Sequence, residues 1–292
     1  MIYYFNPIYD QNLIISLDNI ILDTSLTRPE IRDLLQMTIA QMAKGNRVDI
    51  RTWTSYKPGT FHDQTAFHLD DARSFWLGHG LNGSGTLVDR YRLDFNPNKA
   101  GDDPNLQLIR EFLVRNSREG FCKVRRFDLA IDIPVDRSQC FLVKDHRMYS
   151  ERRHGVEFTQ YLGSKSSTTG RVKLYNKTVE AKLNYPLTRL ELTLDPSIPY
   201  EGVNFPKVYI VDKEAMDLAN AKLTDTDRFV LNAVVQGCGQ VTDLGRKMSE
   251  KIRGVMNDYL SEIEITEDVY NQILNQVNSY CAEGATTKEI LL

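Results

Sequence analysis

The feature that most constrains the fold of this chain is a series of short strand-like segments within its first 200 residues, with helical segments between them. The segment 13–22 is rich in β-branched residues and predicts a buried strand. Strands interrupted by helices in this way predict an α+β domain with a mostly antiparallel sheet and packed helices. Further strands are predicted at 48–56, 86–95, 124–133, 157–162, 171–174 and 187–194, and helices at 27–43 and 105–116.

The chain changes character after residue 200. Prolines at 196, 199 and 206 mark a linker, which predicts one domain over 1–200 and a second region over 201–292. Helices are predicted at 224–235 and 243–253, with glycines between them and Thr242 as the N-cap of the second. This arrangement resembles a helix-turn-helix or winged-helix DNA-binding unit, whereas an ordinary αα-hairpin is the alternative that spacing alone favours. The predicted DNA-binding cations of the second helix are Arg246, Lys247, Lys251 and Arg253.

The composition suits a chain with a sizeable core. Its 292 residues, 41% hydrophobic and 26% charged, exclude a disordered or collagen-like protein. Four scattered cysteines form no CxxC pair and the five histidines lack zinc-ligand spacing, which argues against a zinc site. No signal-peptide pattern begins the chain, and no apolar run reaches the roughly 20 residues that cross a bilayer. We therefore expect a cytoplasmic protein with no membrane partner.

The net charge of −3 conceals two regions of opposite sign. Nine basic and four acidic residues between 144 and 182 give a net charge of +5, whereas 257–292 carries a net charge of −6. Tyr161, Ser164 and Lys165 lie inside the basic segment, and aromatic and hydroxyl groups among cations suit a phosphate backbone with splayed bases. These three residues are therefore predicted DNA contacts. A solvated charged surface is the alternative.

The candidate nucleophile lies in the segment Arg-Val-Lys-Leu-Tyr-Asn-Lys at 171–177. In a strand, Arg171, Lys173 and Tyr175 share one face because side chains alternate. A tyrosine among cations suits phosphoryl transfer, since positive charge favours the phenolate and holds the phosphate under attack. Tyr175 is the predicted nucleophile, with Arg171, Lys173 and Lys177 stabilising the phosphoryl oxygens. A structural tyrosine on a half-buried strand is the alternative, and the chain has 14 tyrosines.

Several carboxylates interrupt apolar strand segments, where a charge is costly unless it is paired or bound to a metal. Clustered oxygens suit Mg²⁺ or Mn²⁺, either of which polarises a phosphodiester. Asp128 and Asp132 are four residues apart on one predicted strand, a distance of about 13 Å, so a regular strand does not bring both carboxylates to one ion. Alternatively, these carboxylates face solvent at strand ends or form salt bridges to Arg125, Arg126 and Arg189. The candidate metal ligands are Asp94, Asp128, Asp132 and Glu191.

Four short blocks follow one another along the chain. They are Arg-Leu-Asp-Phe-Asn-Pro-Asn-Lys at 92–99, Arg-Phe-Asp-Leu-Ala-Ile-Asp at 126–132, the segment 160–180 around Tyr175, and Thr-Arg-Leu-Glu-Leu-Thr-Leu at 188–194. Together the blocks resemble the trans-acting replication initiators of small rolling-circle plasmids, and residues 229–258 resemble their C-terminal part more weakly. The resemblance implies a nuclease domain that nicks one strand at a double-strand origin. A tyrosine at the position of Tyr175 becomes linked to the 5′ end, and the free 3′-OH primes synthesis.

The resemblance also implies a cofactor and partners. Some of the four carboxylates hold the divalent cation, and the protein acts as a homodimer on origin DNA that is supercoiled or extruded, and single-stranded at the nick. The resemblance also implies that the protein recruits a replicative helicase. Relaxases of some conjugative elements share these blocks, so the start of conjugative transfer is an alternative function. A non-catalytic origin-binding protein, or a protein whose basic segment is only surface, are further alternatives.

Overall fold

A computed structural model describes residues 2–6, 11–44, 48–70, 73–82, 90–155, 157–167, 169–211, 223–235 and 238–282. The chain forms two compact units, each assembled from separate stretches of sequence. The first comprises Met1–Ile15, Ala130–Thr193 and Glu201–Glu267, and the second Ser16–Leu129, Leu194–Tyr200 and Asp268–Leu292. The domains predicted at 1–200 and 201–292 remain a prediction, and both units include residues from either side of that boundary.

The described residues contain strands and helices in the mixed order expected of an α+β protein. The strands are β1 Ile2–Asn6, β2 Gln11–Ser25, β3 Asp49–Thr54, β4 Phe61–His68, β5 Ser74–Leu81, β6 Arg90–Phe95, β7 Lys123–Ile133, β8 Cys140–Leu142, β9 Tyr149–His154, β10 Glu157–Leu162, β11 Thr169–Asn176, β12 Thr188–Leu194, β13 Val208–Val211 and β14 Leu260–Glu262. The helices are α1 Pro29–Lys44, α2 Pro97–Ala100, α3 Pro104–Arg115, α4 Lys177–Ala181, α5 Asp225–Val235, α6 Arg246–Tyr259 and α7 Glu267–Ser279.

The α+β class predicted from the sequence is confirmed. Every strand pairing whose register is described is antiparallel. The predicted strands at 13–22, 124–133, 157–162, 171–174 and 187–194 are all present, with bounds shifted by a few residues. Of the strand predicted at 86–95, residues 86–89 lie outside the described part of the chain.

In the second unit the strands follow the order β3, β4, β5, β6, β2, β7. The sequence prediction missed β4 and β5, whose inward side chains include Phe67 and Phe75, stacked at a centroid distance of 4.3 Å. Helix α3 begins as its sequence dictates, since Asp103 caps it by accepting from the backbone N–H of Asn105 at 2.8 Å. Its apolar face is buried as expected of an amphipathic helix.

The acidic C-terminal segment is folded in part. Helix α7 buries Val269, Tyr270, Ile273 and Val277, which recur at helical spacing, and leaves its acidic side chains toward solvent. The hydroxyl of Tyr270 donates to the carbonyl of Ile198 at 2.9 Å. Two of the acidic residues of this segment, Glu267 and Asp268, are therefore on the exposed face of a packed helix. Residues 283–292 lie outside the described part of the chain.

In the first unit β7 is followed by β12, β11, β10 and β9. The side chains of Val172, Leu174, Leu190 and Leu192 are buried on one side of β11 and β12. Because side chains alternate along a strand, the residues between them face the other side. That second face carries the residues predicted to act in catalysis.

A small sheet of β14, β13 and β8 packs with helices α5 and α6 around a core of its own. The two helices predicted in this region are present. The prediction of Thr242 as the N-cap of the second helix is wrong. Thr242 instead lies in a 3₁₀ turn, Val241–Asp243, and α6 begins after Gly245. Use of this helix pair as a helix-turn-helix remains a prediction. The buried residues of the core are Val211, Leu223, Leu231, Ile252 and Leu260.

Within the described residues no helix combines the length and the apolar character that crossing a bilayer requires.

Candidate active site

The candidate nucleophile Tyr175 lies near the end of strand β11. On this strand Arg171, Lys173 and Tyr175 occupy alternate positions, as the sequence predicts, between the buried residues Val172 and Leu174. The Cα of Lys173 is paired with that of Tyr161 on β10. The exposed side of the hairpin β10–β11 therefore carries aromatic and cationic side chains together.

The connection from β11 to β12 is held by local hydrogen bonds. The side chain of Asn176 caps α4 by accepting from the N–H of Val179 at 3.2 Å. The hydroxyl of Thr178 accepts from the N–H of Leu187 at 2.6 Å and donates to the carbonyl of Tyr185 at 2.9 Å. These bonds fix the start of β12 next to the end of β11, which brings a carboxylate of β12 beside Tyr175.

That carboxylate belongs to Glu191. The hydroxyl of Tyr175 donates to Oε1 of Glu191 at 2.6 Å, and Nζ of Lys173 lies 3.2 Å from Oε2 of the same group. The ammonium of Lys173 also sits 3.8 Å from the centroid of the Tyr175 ring, within cation–π range. A phenol, a carboxylate and an ammonium are thus joined in one cluster, which can move a proton from the phenol to the carboxylate.

The environment of Tyr175 keeps its hydroxyl protonated. Burial of the side chain, which is 5% exposed, raises the pKa of Tyr175, and the negative charge of Glu191 raises it further. A neighbouring cation, Arg189, lowers this pKa as the sequence-based expectation holds, but its effect is smaller than those of burial and of Glu191. An attack by Tyr175 requires a proton acceptor, and Glu191 is already hydrogen-bonded to it.

The other predicted catalytic cations have different surroundings. Nζ of Lys177 lies 5.9 Å from the Tyr175 ring centroid, and the same group pairs with Glu180 one helical turn away. Arg171 lies beside the ring of Tyr161, with its Cζ 5.8 Å from the centroid. Lys173 is therefore the only one of the three cations that contacts both Tyr175 and its carboxylate partner among the interactions of the described residues.

The four predicted metal ligands do not form a cluster among the described residues. Asp132 accepts two hydrogen bonds from the guanidinium of Arg189, at 2.6 and 2.7 Å, in a buried ion pair. Glu191 is held by Tyr175 and Lys173 as above. No group of three or more His, Cys, Asp or Glu side chains is placed to hold a metal ion in the part of the chain that the structure describes.

Asp94 and Asp128 belong to the second unit. Burial raises the pKa of Asp94, and this outweighs a hydrogen bond with Asn19 and the charges of Arg126 and Arg92, which lower it. Asp94 lines a cavity of about 300 Å³ together with polar side chains that include Lys99. An oxygen of Asp128 lies 3.8 Å from Nη2 of Arg126. The described residues therefore show no carboxylate cluster for Mg²⁺ or Mn²⁺, and the predicted ligand set remains a prediction.

The predicted DNA contacts of the basic segment are accessible. Ser164 and Lys165 are exposed in the turn between β10 and β11, where the Oγ atoms of Ser164 and Ser166 are 3.2 Å apart. Tyr161 is partly exposed and has a second cation beside it that sequence reasoning missed, since Cζ of Arg152 lies 5.8 Å from its ring centroid. Alternation along β9 predicts which of its side chains share a face with Arg152. It places Arg152 beside Tyr161 only when the register of β9 with β10 is known.

The predicted cations of α6 divide into two sets. Arg246 pairs with Glu250 at 3.0 Å, and Nζ of Lys251 lies 2.5 Å from Oδ2 of Asp227. Lys251 therefore joins α6 to α5 instead of standing free for a phosphate. Lys247 and Arg253 are exposed and have no carboxylate partner among the described residues.

Comparison with known proteins gives a structural likeness but no match in sequence. No family model matches the chain, and no curated protein matches it. A solved structure of a rolling circle replication initiator protein from Geobacillus stearothermophilus is similar to it, with 11% identity and a TM-score of 0.38 over 91% of this chain and 97% of that chain. These values are too low for the likeness to bear on the fold or the activity of this chain.

Proposed function

We propose that this protein nicks and rejoins one DNA strand at a replication origin, with Tyr175 as the nucleophile, and so initiates rolling-circle replication. The observation that carries the proposal is the hydrogen bond from the Tyr175 hydroxyl to Glu191 on a strand face rich in cations. A positioned nucleophile with a hydrogen-bonded proton acceptor is the arrangement that covalent catalysis requires. The sequence blocks around Tyr175 and Glu191 support the choice of DNA as substrate.

The reaction follows from this cluster. The Tyr175 oxygen attacks the scissile phosphorus while its proton passes to Glu191. The bond between phosphorus and the 3′ oxygen breaks, the 3′ oxygen leaves with a proton from solvent, and the 5′ phosphate remains on the tyrosine. Lys173 and Arg171 offset the negative charge on the phosphoryl oxygens. Rejoining is the reverse attack by a 3′-OH, which releases Tyr175.

No step of this proposal passes through a divalent cation, because the predicted ligands do not form a fitting set among the described residues. The dependence on Mg²⁺ or Mn²⁺ remains a prediction of the sequence. It is tested by nicking assays with either ion and with a chelator. The homodimer and the helicase partner likewise remain predictions.

The decisive experiment uses a supercoiled plasmid that carries the gene of this chain with its flanking DNA. Wild-type protein should relax the plasmid and remain covalently attached to the 5′ end of the nick. Tyr175→Phe should abolish the adduct while leaving duplex binding intact. Tyr185→Phe is the matched control, since Tyr185 is 52% exposed and lies in the connection to β12. An adduct of undiminished yield with Tyr175→Phe would end the assignment.

A second candidate is a non-catalytic origin-binding protein. The observation in its favour is the burial of Tyr175, which is the setting of a structural tyrosine. This candidate predicts salt-sensitive DNA binding without any nick on supercoiled plasmid. A relaxase has the same chemistry as the first candidate, and nick mapping at a transfer origin would identify it.

A further inference from the structure

We propose that Tyr161, flanked by Arg152 and Arg171, is a stacking platform for an unpaired base of single-stranded DNA. The choice of DNA as the ligand rests on the proposed function, whereas the platform itself rests on the geometry of the hairpins β9–β10 and β10–β11. The sequence predicts Tyr161 as a DNA contact, whereas the pair of arginines beside its ring depends on the register of the three strands.

The three side chains share one face of the sheet. In the antiparallel register the Cα of Tyr161 is paired with those of Lys173 on β11 and Ser150 on β9. Residues two positions away on the neighbouring strands, Arg171 and Arg152, therefore point to the same side. Both guanidinium carbons lie 5.8 Å from the ring centroid, on strands at either side of β10.

The two arginines differ from their neighbours in their charge partners. Arg147 pairs with Asp145, and Arg153, on the strand that carries Arg152, pairs with Glu151 at 2.7 Å. In contrast, neither Arg152 nor Arg171 has a carboxylate within ion-pair distance among the described residues. Two arginines without a carboxylate partner among the described residues thus lie at one aromatic ring.

This combination fits the chemistry of a nucleotide that has left the duplex. An aromatic ring can stack on any of the four bases, because each base has a flat π-face. Guanidinium groups beside the ring can bind the phosphates that flank the stacked base. Both guanidinium carbons lie over the Tyr161 ring, 5.8 Å from its centroid and within cation–π range. A paired base within a duplex cannot lie flat on the ring, which makes the site selective for single strands.

The platform adjoins the proposed nucleophile. Lys173 is the cross-strand partner of Tyr161 and contacts the ring of Tyr175. Diagonal neighbours in an antiparallel pair are about 7–8 Å apart. A base held on Tyr161 therefore belongs to a nucleotide close to the scissile phosphate.

The test measures equilibrium binding of full-length protein to fluorescein-labelled (dT)₂₀, with a 20-base-pair duplex for comparison. Tyr161→Ala should weaken (dT)₂₀ binding about 5- to 150-fold, the range for one lost base stack, and change duplex binding much less. Tyr161→Phe keeps the ring and should bind as the wild type does. Arg152→Ala and Arg171→Ala should each reduce the salt dependence by about 0.7 of a counterion, whereas Arg153→Ala, the paired control, should not.

Each outcome decides the proposal. Wild-type binding of (dT)₂₀ by Tyr161→Ala overturns it, as does equal weakening by Arg153→Ala. Tighter binding of (rU)₂₀ than of (dT)₂₀ assigns the platform to RNA and overturns the choice of DNA. Tyr175→Phe should bind (dT)₂₀ normally, because it keeps the platform. Absence of nicking by the wild-type protein, with intact, Tyr161-dependent binding of (dT)₂₀, rejects the proposed function alone.

Discussion

The Tyr175 hydroxyl donates a hydrogen bond of 2.6 Å to Oε1 of Glu191, a carboxylate that also lies 3.2 Å from the ammonium of Lys173. Glu191 was predicted from the sequence as a metal ligand. In the fold it accepts the hydrogen bond from the Tyr175 hydroxyl, whose proton is the one transferred in the proposed attack. This relationship turns an isolated tyrosine into a candidate nucleophile with its own base.

Glu191→Gln should slow formation of the tyrosine–DNA adduct by about 10²- to 10⁴-fold, the usual contribution of a positioned general base. Removing the negative charge lowers the pKa of Tyr175, which Glu191 raises, but burial continues to hold that pKa above its ordinary value. The variant therefore depends on hydroxide to remove the proton, and its rate should rise with pH into the alkaline range. Single-turnover assays on a nick-site oligonucleotide between pH 6 and 10 measure both effects.

The control for this prediction is Glu180→Gln. Glu180 pairs with Lys177 on the exposed side of α4 and makes no hydrogen bond to Tyr175. The charge of Glu180 also raises the pKa of Tyr175, but by less than Glu191 does, so we expect a rate close to the wild type and a pH profile shifted far less than in Glu191→Gln. An unchanged rate in Glu191→Gln would show that Tyr175 does not use this carboxylate as its base.

The buried pair Asp132–Arg189 gives a prediction about stability. Two hydrogen bonds of 2.6 and 2.7 Å join the groups, whose side chains are 12% and 10% exposed. Asp132→Asn leaves the guanidinium without its charge partner and should lower the free energy of unfolding by about 3–5 kcal/mol. The double variant Asp132→Leu, Arg189→Met should recover much of that loss. Urea unfolding of the three proteins measures the difference, and a neutral Asp132→Asn variant would contradict a structural role.

The sequence predicts what depends on local pattern. Strand β12 is predicted because Leu190, Leu192 and Leu194 alternate with polar residues, and α3 because its apolar residues recur at helical spacing. Strand β4 was missed because polar residues such as Asp63 interrupt its apolar positions, and β5 because Gly78 and Gly80 interrupt its second half. Their pairing with each other and with β6 supplies the stability that their local sequence does not.

In the candidate site, too, local sequence pattern predicts some features and pairing between distant strands determines the others. Alternation alone places Lys173 and Tyr175 on one face of β11. The partner of Asp132 is 57 residues away along the chain, so sequence spacing does not choose between arginine and a metal ion for it. Arg152 was missed because its position beside Tyr161 depends on the register of β9 and β10.

Acid should destabilise the protein through Asp23. Its burial raises its pKa, but hydrogen bonds and charge from Arg92 and Arg90 outweigh this, and the net pKa lies below the ordinary value. A depressed pKa means that the ion pairs contribute fully above the unfolded-state value of about 3.9 and are lost as the pH falls through the lower, folded-state value. The free energy of unfolding should therefore decrease below about pH 4.

Asp23→Asn isolates this effect. Nε of Arg92 lies 2.6 Å from Asp23, whose side chain is 4% exposed, so the variant should lose about 3–5 kcal/mol at pH 7. Because the wild-type carboxylate is protonated in strong acid, the difference between the two proteins should shrink below about pH 4. Urea unfolding at pH 7, 5 and 3 measures this. A constant difference at all three values would exclude Asp23 as the titrating group.

The cations of α6 should separate into DNA contacts and structural partners. Lys247 and Arg253 are exposed, so the double variant Lys247→Ala, Arg253→Ala should weaken duplex binding and reduce its salt slope by about two phosphate contacts, with the free energy of unfolding nearly unchanged. Lys251, followed by Thr224, holds the pKa of Asp227 at about 2, so Lys251→Ala should instead lower stability above that pH. Salt-dependent binding to a 30-base-pair duplex, with urea unfolding of the same samples, distinguishes these roles. If the double variant binds duplex as tightly as the wild type at every salt concentration, α6 is not a DNA-binding helix and its pairing with α5 is an ordinary αα-hairpin.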